Sequence, residues 1–130
     1  MYCRTTLEIK ITVEPFYLED QSDPSTDHFV WAYRIKIENQ SPDKIQLLRR
    51  HWLITDAKGR TRQIEGFGVI GEQPTINPGQ SFEYTGGAPL ETPSGIMAGS
   101  YQMRGSGGND FEVAIPPFSL DSPYQVVRLN

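Results

Sequence analysis

Cysteine is almost missing from this 130-residue chain, with Cys3 the only one. A lone thiol closes no intrachain disulfide, which fits a reducing compartment and makes a cytoplasmic protein the expectation. Histidine is nearly as scarce. His28 and His51 cannot assemble a zinc-like ligand set with a single cysteine, so no metal site is expected from them. No apolar run approaches the ~20 residues of a membrane span, and Met1-Tyr2-Cys3-Arg4-Thr5 opens without the apolar stretch of a secretion signal. An excess of positive charge is also lacking. Lys+Arg number 12 against 16 Asp+Glu, a net charge of -4, which argues against general nucleic-acid or anionic-membrane affinity. Helical periodicity, internal repeats and low-complexity linkers are absent as well. The length suits one domain, residues 1–130, large enough to fold without a staple.

What is present is short apolar alternation punctuated by 12 glycines and 10 prolines, the pattern of an all-β protein. From His28 to Asn39, Phe29, Trp31, Tyr33, Ile35 and Ile37 take every odd position, so one face of a strand meets a core and the other meets water. Leu7 to Val13 repeats this, predicting Leu7, Ile9, Ile11 and Val13 inward. Ile45 to Thr55 breaks parity: Ile45 and Leu47 share one phase, Trp52 and Ile54 the other. Either a bulge switches the face there or the strand is covered on both sides. On that phase Trp52 fills core, while His51 and Arg49 face the other side. Asp56-Ala57-Lys58-Gly59 turns into a polar strand from Arg60 to Glu65, and Asn77-Pro78-Gly79 into a strand from Gln80 to Thr85. A second hairpin joins Ser100–Arg104 to Phe111, Val113 and Ile115, and Pro116-Pro117 is expected to end it, since neither proline donates to a ladder. About seven strands at near-regular spacing predict a sandwich of two antiparallel sheets. Tyr101, after Gly99-Ser100, resembles the tyrosine whose hydroxyl ties such a sandwich back to an earlier corner, a structural role.

Gly66-Phe67-Gly68-Val69-Ile70-Gly71 matches the G-x-G-x-x-G spacing of dinucleotide sites. That spacing works where a strand hands over to a helix whose N-terminus receives the pyrophosphate. Pro74 and Pro78 leave no room for that helix, so a long loop needing positive φ is the favoured reading, with a backbone phosphate cradle as its rival. The apolar Phe67, Val69, Ile70 and Ile76 either tuck into the end of the sandwich or form an interaction surface flanked by Arg50, His51 and Arg62. Cationic residues crowd positions 34–62 (Arg34, Lys36, Lys44, Arg49, Arg50, Lys58, Arg60, Arg62), but alternation sends Arg49 and Arg50 to opposite sides, favouring a solvated, salt-bridged face over a single patch. Glu14, Glu19, Asp20, Asp23 and Asp27 lie near one loop without the spacing or glycine of a calcium site. No nucleophile, base and orienting group can be named together, so no enzyme is expected.

Taken in order, several segments resemble the ApaG family of small bacterial proteins. They are Tyr33-Arg34-Ile35-Lys36-Ile37-Glu38-Asn39, Arg50-His51-Trp52-Leu53-Ile54-Thr55-Asp56, Gly66 through Pro74, Pro78-Gly79-Gln80-Ser81-Phe82-Glu83-Tyr84, Gly95 through Met103 and Phe111 through Leu120. Where many members resemble Tyr-Thr-Ser-Gly-Cys-Pro-Leu, this chain has Tyr84-Thr85-Gly86-Gly87-Ala88-Pro89-Leu90. The resemblance implies an immunoglobulin-like or fibronectin type III-like sandwich without established enzymatic activity or cofactor. It also implies an association with cobalt and magnesium tolerance, and use of similar domains as protein-interaction modules. The expected function is therefore binding of another protein, with a homodimer through an edge strand as a further possibility. The alternative is a phosphate, nucleotide or divalent-cation binder using Gly66–Gly71 or the acidic loops.

Overall fold

A computed structural model of the chain describes residues 1–124. Nine strands run through it: β1 (Tyr2–Thr6), β2 (Ile9–Tyr17), β3 (Phe29–Asn39), β4 (Ile45–Asp56), β5 (Thr61–Phe67), β6 (Thr75–Ile76), β7 (Ser81–Leu90), β8 (Gly95–Gly105) and β9 (Asp110–Leu120). They form one antiparallel sheet in the order β1-β2-β3-β7 and a second in the order β5-β4-β8-β9, with β6 beside β4. The only helical turns among the described residues are two short 3₁₀ turns in the acidic loop, Glu19–Gln21 and Pro24–Thr26.

Alternation places the core where the sequence pattern puts it. Ile9, Ile11 and Val13 of β2 and Trp31, Ile35 and Ile37 of β3 are buried against Leu47, Trp52, Ile54, Tyr101, Met103 and Val113 of the facing sheet. Aromatic rings bind the layers together: Tyr33 lies 5.2 Å from Trp52, which meets Phe118 edge-on at 6.0 Å.

Three expectations are corrected. Leu7 does not point inward; it and Glu8 form a two-residue turn between β1 and β2, both at positive φ, and Leu7 is 68% exposed. The turn escapes notice because neither position carries the glycine or asparagine such a turn prefers. Pro116-Pro117 does not end β9, which continues to Leu120. The pairing slips between Met97 and Gly99, so the two prolines occupy a bulge rather than ladder positions, and the parity change turns Phe118 and Leu120 into the core after Val113 and Ile115. Nor does the Tyr101 hydroxyl reach back to a corner. It meets the Tyr84 hydroxyl on the opposite sheet.

Of the two readings left open for β4, the bulge is the one found. Register shifts between Leu47 and Arg49, placing Leu47 and Trp52 on the same face despite their opposite parity.

Candidate functional site

The Gly66–Gly71 segment is the end of β5 followed by a tight reversal, with no helix after it. Val69 and Glu72 exchange both backbone hydrogen bonds, at 2.8 and 2.9 Å. Ile70 and Gly71 between them have φ of 45° and 77°, the mirror-image turn that suits strand twist. Gly68 is required sterically: its φ is +63°, and a Cβ there would lie 2.1 Å from the Glu72 carbonyl oxygen. Its N–H donates to the Leu48 carbonyl. With the Gly68, Val69 and Glu72 N–H groups already used, the motif serves a turn and not the strand-to-helix handover of a dinucleotide site.

The tip divides its apolar residues. Val69 and Ile76 are buried and close the end of the sandwich, whereas Phe67 is 73% and Ile70 62% exposed. Two of the four apolar residues thus tuck into the end of the sandwich, and the other two face solvent. The Arg49 guanidinium stacks 5.1 Å from the centre of the Phe67 ring. Arg50 points the other way, into the gap between the sheets, and its Nη1 donates to the carbonyls of Phe67 and Gly68 at 3.1 and 3.0 Å. Arg50 therefore holds the tip from beneath while Arg49 covers it from outside. His51 lies on the same outer face as Arg49, with Nε2 3.8 Å from Glu65. Arg62 does not join this cluster. It sits toward the other end of β5 and donates to the Pro89 carbonyl of β7 at 3.1 Å.

Behind Arg50 is a group that sequence reasoning missed, because its members come from separate strands. Tyr33, Tyr84 and Tyr101 converge between the sheets. Burial pushes all three phenols above their ordinary range, and in each the Arg50 charge works in the opposite direction. Gly86 makes room for this packing: a Cβ there would fall 2.4 Å from the Tyr33 hydroxyl. The change from serine to glycine noted in the sequence thus lies under a core ring.

The basic stretch is dispersed. Arg34 lies over the Phe16 ring, Lys36 pairs with Glu38, and Arg60 pairs with Asp56 at 2.8 Å. In the acidic loop, Glu19 accepts from the Tyr124 hydroxyl and Asp23 from the N–H and hydroxyl of Ser25. The Ser25 hydroxyl holds the Asp23 carboxyl below its usual range. Among the described residues, no three His, Cys, Asp or Glu side chains are grouped to hold a metal, and no helix is long and apolar enough to cross a membrane.

Two antiparallel sheets packed face to face, with a fixed apolar tip at one end, define a β-sandwich of the immunoglobulin or fibronectin type III kind. The ApaG domain model matches residues 19–105. The chain is 58% identical to protein ApaG of Paramagnetospirillum magneticum and 55% identical to that of Brucella anthropi, each over the full length of both chains. A crystal structure of a Bordetella pertussis protein titled ApaA superposes with a TM-score of 0.87 at 44% identity, covering 90% of this chain and 95% of that one. The chain belongs to the ApaG family.

Proposed function

We propose that the chain is a non-catalytic protein-binding module that docks its partner on the Phe67–Gly71 tip. The observation that carries this reading is the exposure of Phe67 and Ile70 on a backbone fixed by the Val69–Glu72 turn and by Arg50. A preformed tip orders little on binding, so its apolar side chains act as anchors at small entropic cost. Ile70 supports the reading further: a β-branched residue in left-handed backbone is costly, and such strain concentrates at functional positions. Arg49, stacked on the Phe67 ring, supplies charge-assisted contacts at the rim.

The test uses Phe67→Ala and Ile70→Ala, with His51→Ala as a control on the neighbouring face. Each is measured for melting temperature and for recovery of proteins crosslinked to the domain in cells. Truncating either anchor is expected to cost about 1–2 kcal/mol of binding with little loss of stability. Lowered melting with the same proteins retained would make the tip a packing element and remove the proposal.

A further inference from the structure

We infer that the free edge of β7 is a second binding site, where an extended peptide segment carrying acidic side chains adds as a new strand. It rests on the reading of the chain as a protein-binding domain but uses a surface other than the Phe67–Gly71 tip.

The edge follows from register. β7 ends its sheet, paired on one side by β3 with nothing on the other among the described residues. At its start, Gly79 donates to the Asn39 carbonyl while Asn39 donates to that of Gln80, so Asn39 faces both residues across a bulge and the Gln80 carbonyl is turned toward β3. Counting by twos, Phe82, Tyr84, Gly86 and Ala88 turn their backbone groups to β3. Ser81, Glu83, Thr85 and Gly87 turn theirs outward. Pro89 then presents only a carbonyl, which Arg62 occupies, so pairing stops there. The run from Ser81 to Gly87 contains no proline, no lysine and no bulge, the devices by which edges are usually blocked.

The chemistry of the occupant follows from what faces that edge. β1 and β2 lie over β9, so β7 and β5 form the open side of the sandwich, and Arg62 bridges them. The inward positions of β5 are Arg62, Ile64 and Gly66, in register with Ile54, Trp52 and Arg50. Ile64 is 38% exposed there. At the Leu90 end, Ile54, Arg62, Pro89 and Leu90 line a cavity of about 360 Å³. Arg60 beside it is matched by Asp56 and Glu91. Arg50 and Arg62, in contrast, pair with no carboxylate among the described residues. A strand laid along β7 would gain backbone hydrogen bonds from Glu83, Thr85 and Gly87 and turn alternate side chains toward Ile64 and two unmatched guanidiniums. Apolar and acidic side chains fit that face. A second copy of this chain fits worse, because two β7 edges joined about a dyad bring a second Arg50 and Arg62 into the same gap.

The probe is a synthetic peptide of about ten residues alternating Glu with Val or Thr, compared with the same peptide carrying Lys for Glu. Amide exchange of the full chain is followed residue by residue by NMR. The acidic peptide is expected to slow exchange at Glu83, Thr85 and Gly87 by about tenfold or more, leaving Tyr84, Gly86 and Ala88 little changed because β3 already protects them. Thr85→Pro removes one outward N–H without touching the β3 ladder, and should fold yet lose this protection. Arg62→Gln should weaken it. No slowing at millimolar acidic peptide, equal slowing by the Lys peptide, or protection that grows with protein concentration alone would overturn the proposal, the last by assigning the edge to a second copy. Retention of partners in Phe67→Ala with edge protection intact would defeat the tip reading only.

Discussion

The hydroxyls of Tyr84 and Tyr101 touch across the middle of the sandwich, one from each sheet. Neither has water to fall back on, since both side chains are buried. Replacing one by phenylalanine strands the other, which costs about 1–3 kcal/mol, whereas replacing both removes the polar pair altogether and costs less than the two single changes summed. Urea unfolding of Tyr84→Phe, Tyr101→Phe and the double variant measures that coupling. Additive losses would mean that the hydroxyls contribute independently.

The same pair sets an alkaline limit on stability. Burial raises both phenols, and that of Tyr33, in the folded chain, so the unfolded chain loses these protons first. With more protons bound in the folded state, stability falls as pH rises. The contribution is complete below the ordinary tyrosine value near ~10 and declines above it. Unfolding free energy measured between neutral pH and the alkaline range should drop on the high side of that value, with a shallower decline in the double phenylalanine variant.

Gly86 lies beneath the Tyr33 ring with no room for a methyl group. The ring cannot swing freely, because Trp52 and Phe118 pack against it at 5.2 and 6.1 Å. Gly86→Ala should therefore destabilise by about 1–3 kcal/mol, the usual range for overpacking a close-packed core. A melting temperature equal to the parent's would show that Tyr33 has an alternative seat.

At the tip the sign reverses. Ile70 holds a left-handed φ of 45° that asparagine tolerates far better, and its side chain is mostly solvent-exposed. Ile70→Asn is expected to raise stability by about 1 kcal/mol while weakening partner recovery. A fall in stability would indicate that the isoleucine side chain packs usefully after all.

Trp52 and its neighbour His51 should respond very differently. Trp52 is 2% exposed at the centre of the aromatic cluster, and truncation to alanine should cost ~3–5 kcal/mol. His51 stands on the outer face near an exposed Glu65, a surface contact worth at most about 1 kcal/mol. Paired melting curves of Trp52→Ala and His51→Ala check the face assignment of β4.

Where parity was unbroken, alternation alone placed the core: every inward residue expected from Phe29 to Ile37 is buried. It failed where a local backbone feature overrode it. Leu7 was lost to a turn built from unfavourable turn residues, and Pro116-Pro117 was absorbed by a bulge. The lack of a helix after Gly66–Gly71 was legible from the prolines behind it. The tight Val69–Glu72 turn was not, since a long loop was expected where β5 in fact runs to Phe67. Nor was it legible which of its apolar residues would be exposed, since that depends on how Val69 meets the end of the sheets. The hold of Arg50 on the tip, the tyrosine cluster and the contact of Gly86 with Tyr33 carry no local signal, because each joins residues from different strands.

The bulge that lets β9 pass through Pro116-Pro117 also bears on assembly. β9 is the outer strand of its sheet, and in that stretch it has two consecutive residues without an N–H. A chain of molecules stacked edge to edge would need two receptive flanks on each. β7, by contrast, is open from Ser81 to Gly87, so a strand captured there meets no equally long uninterrupted edge on β9 of the same molecule.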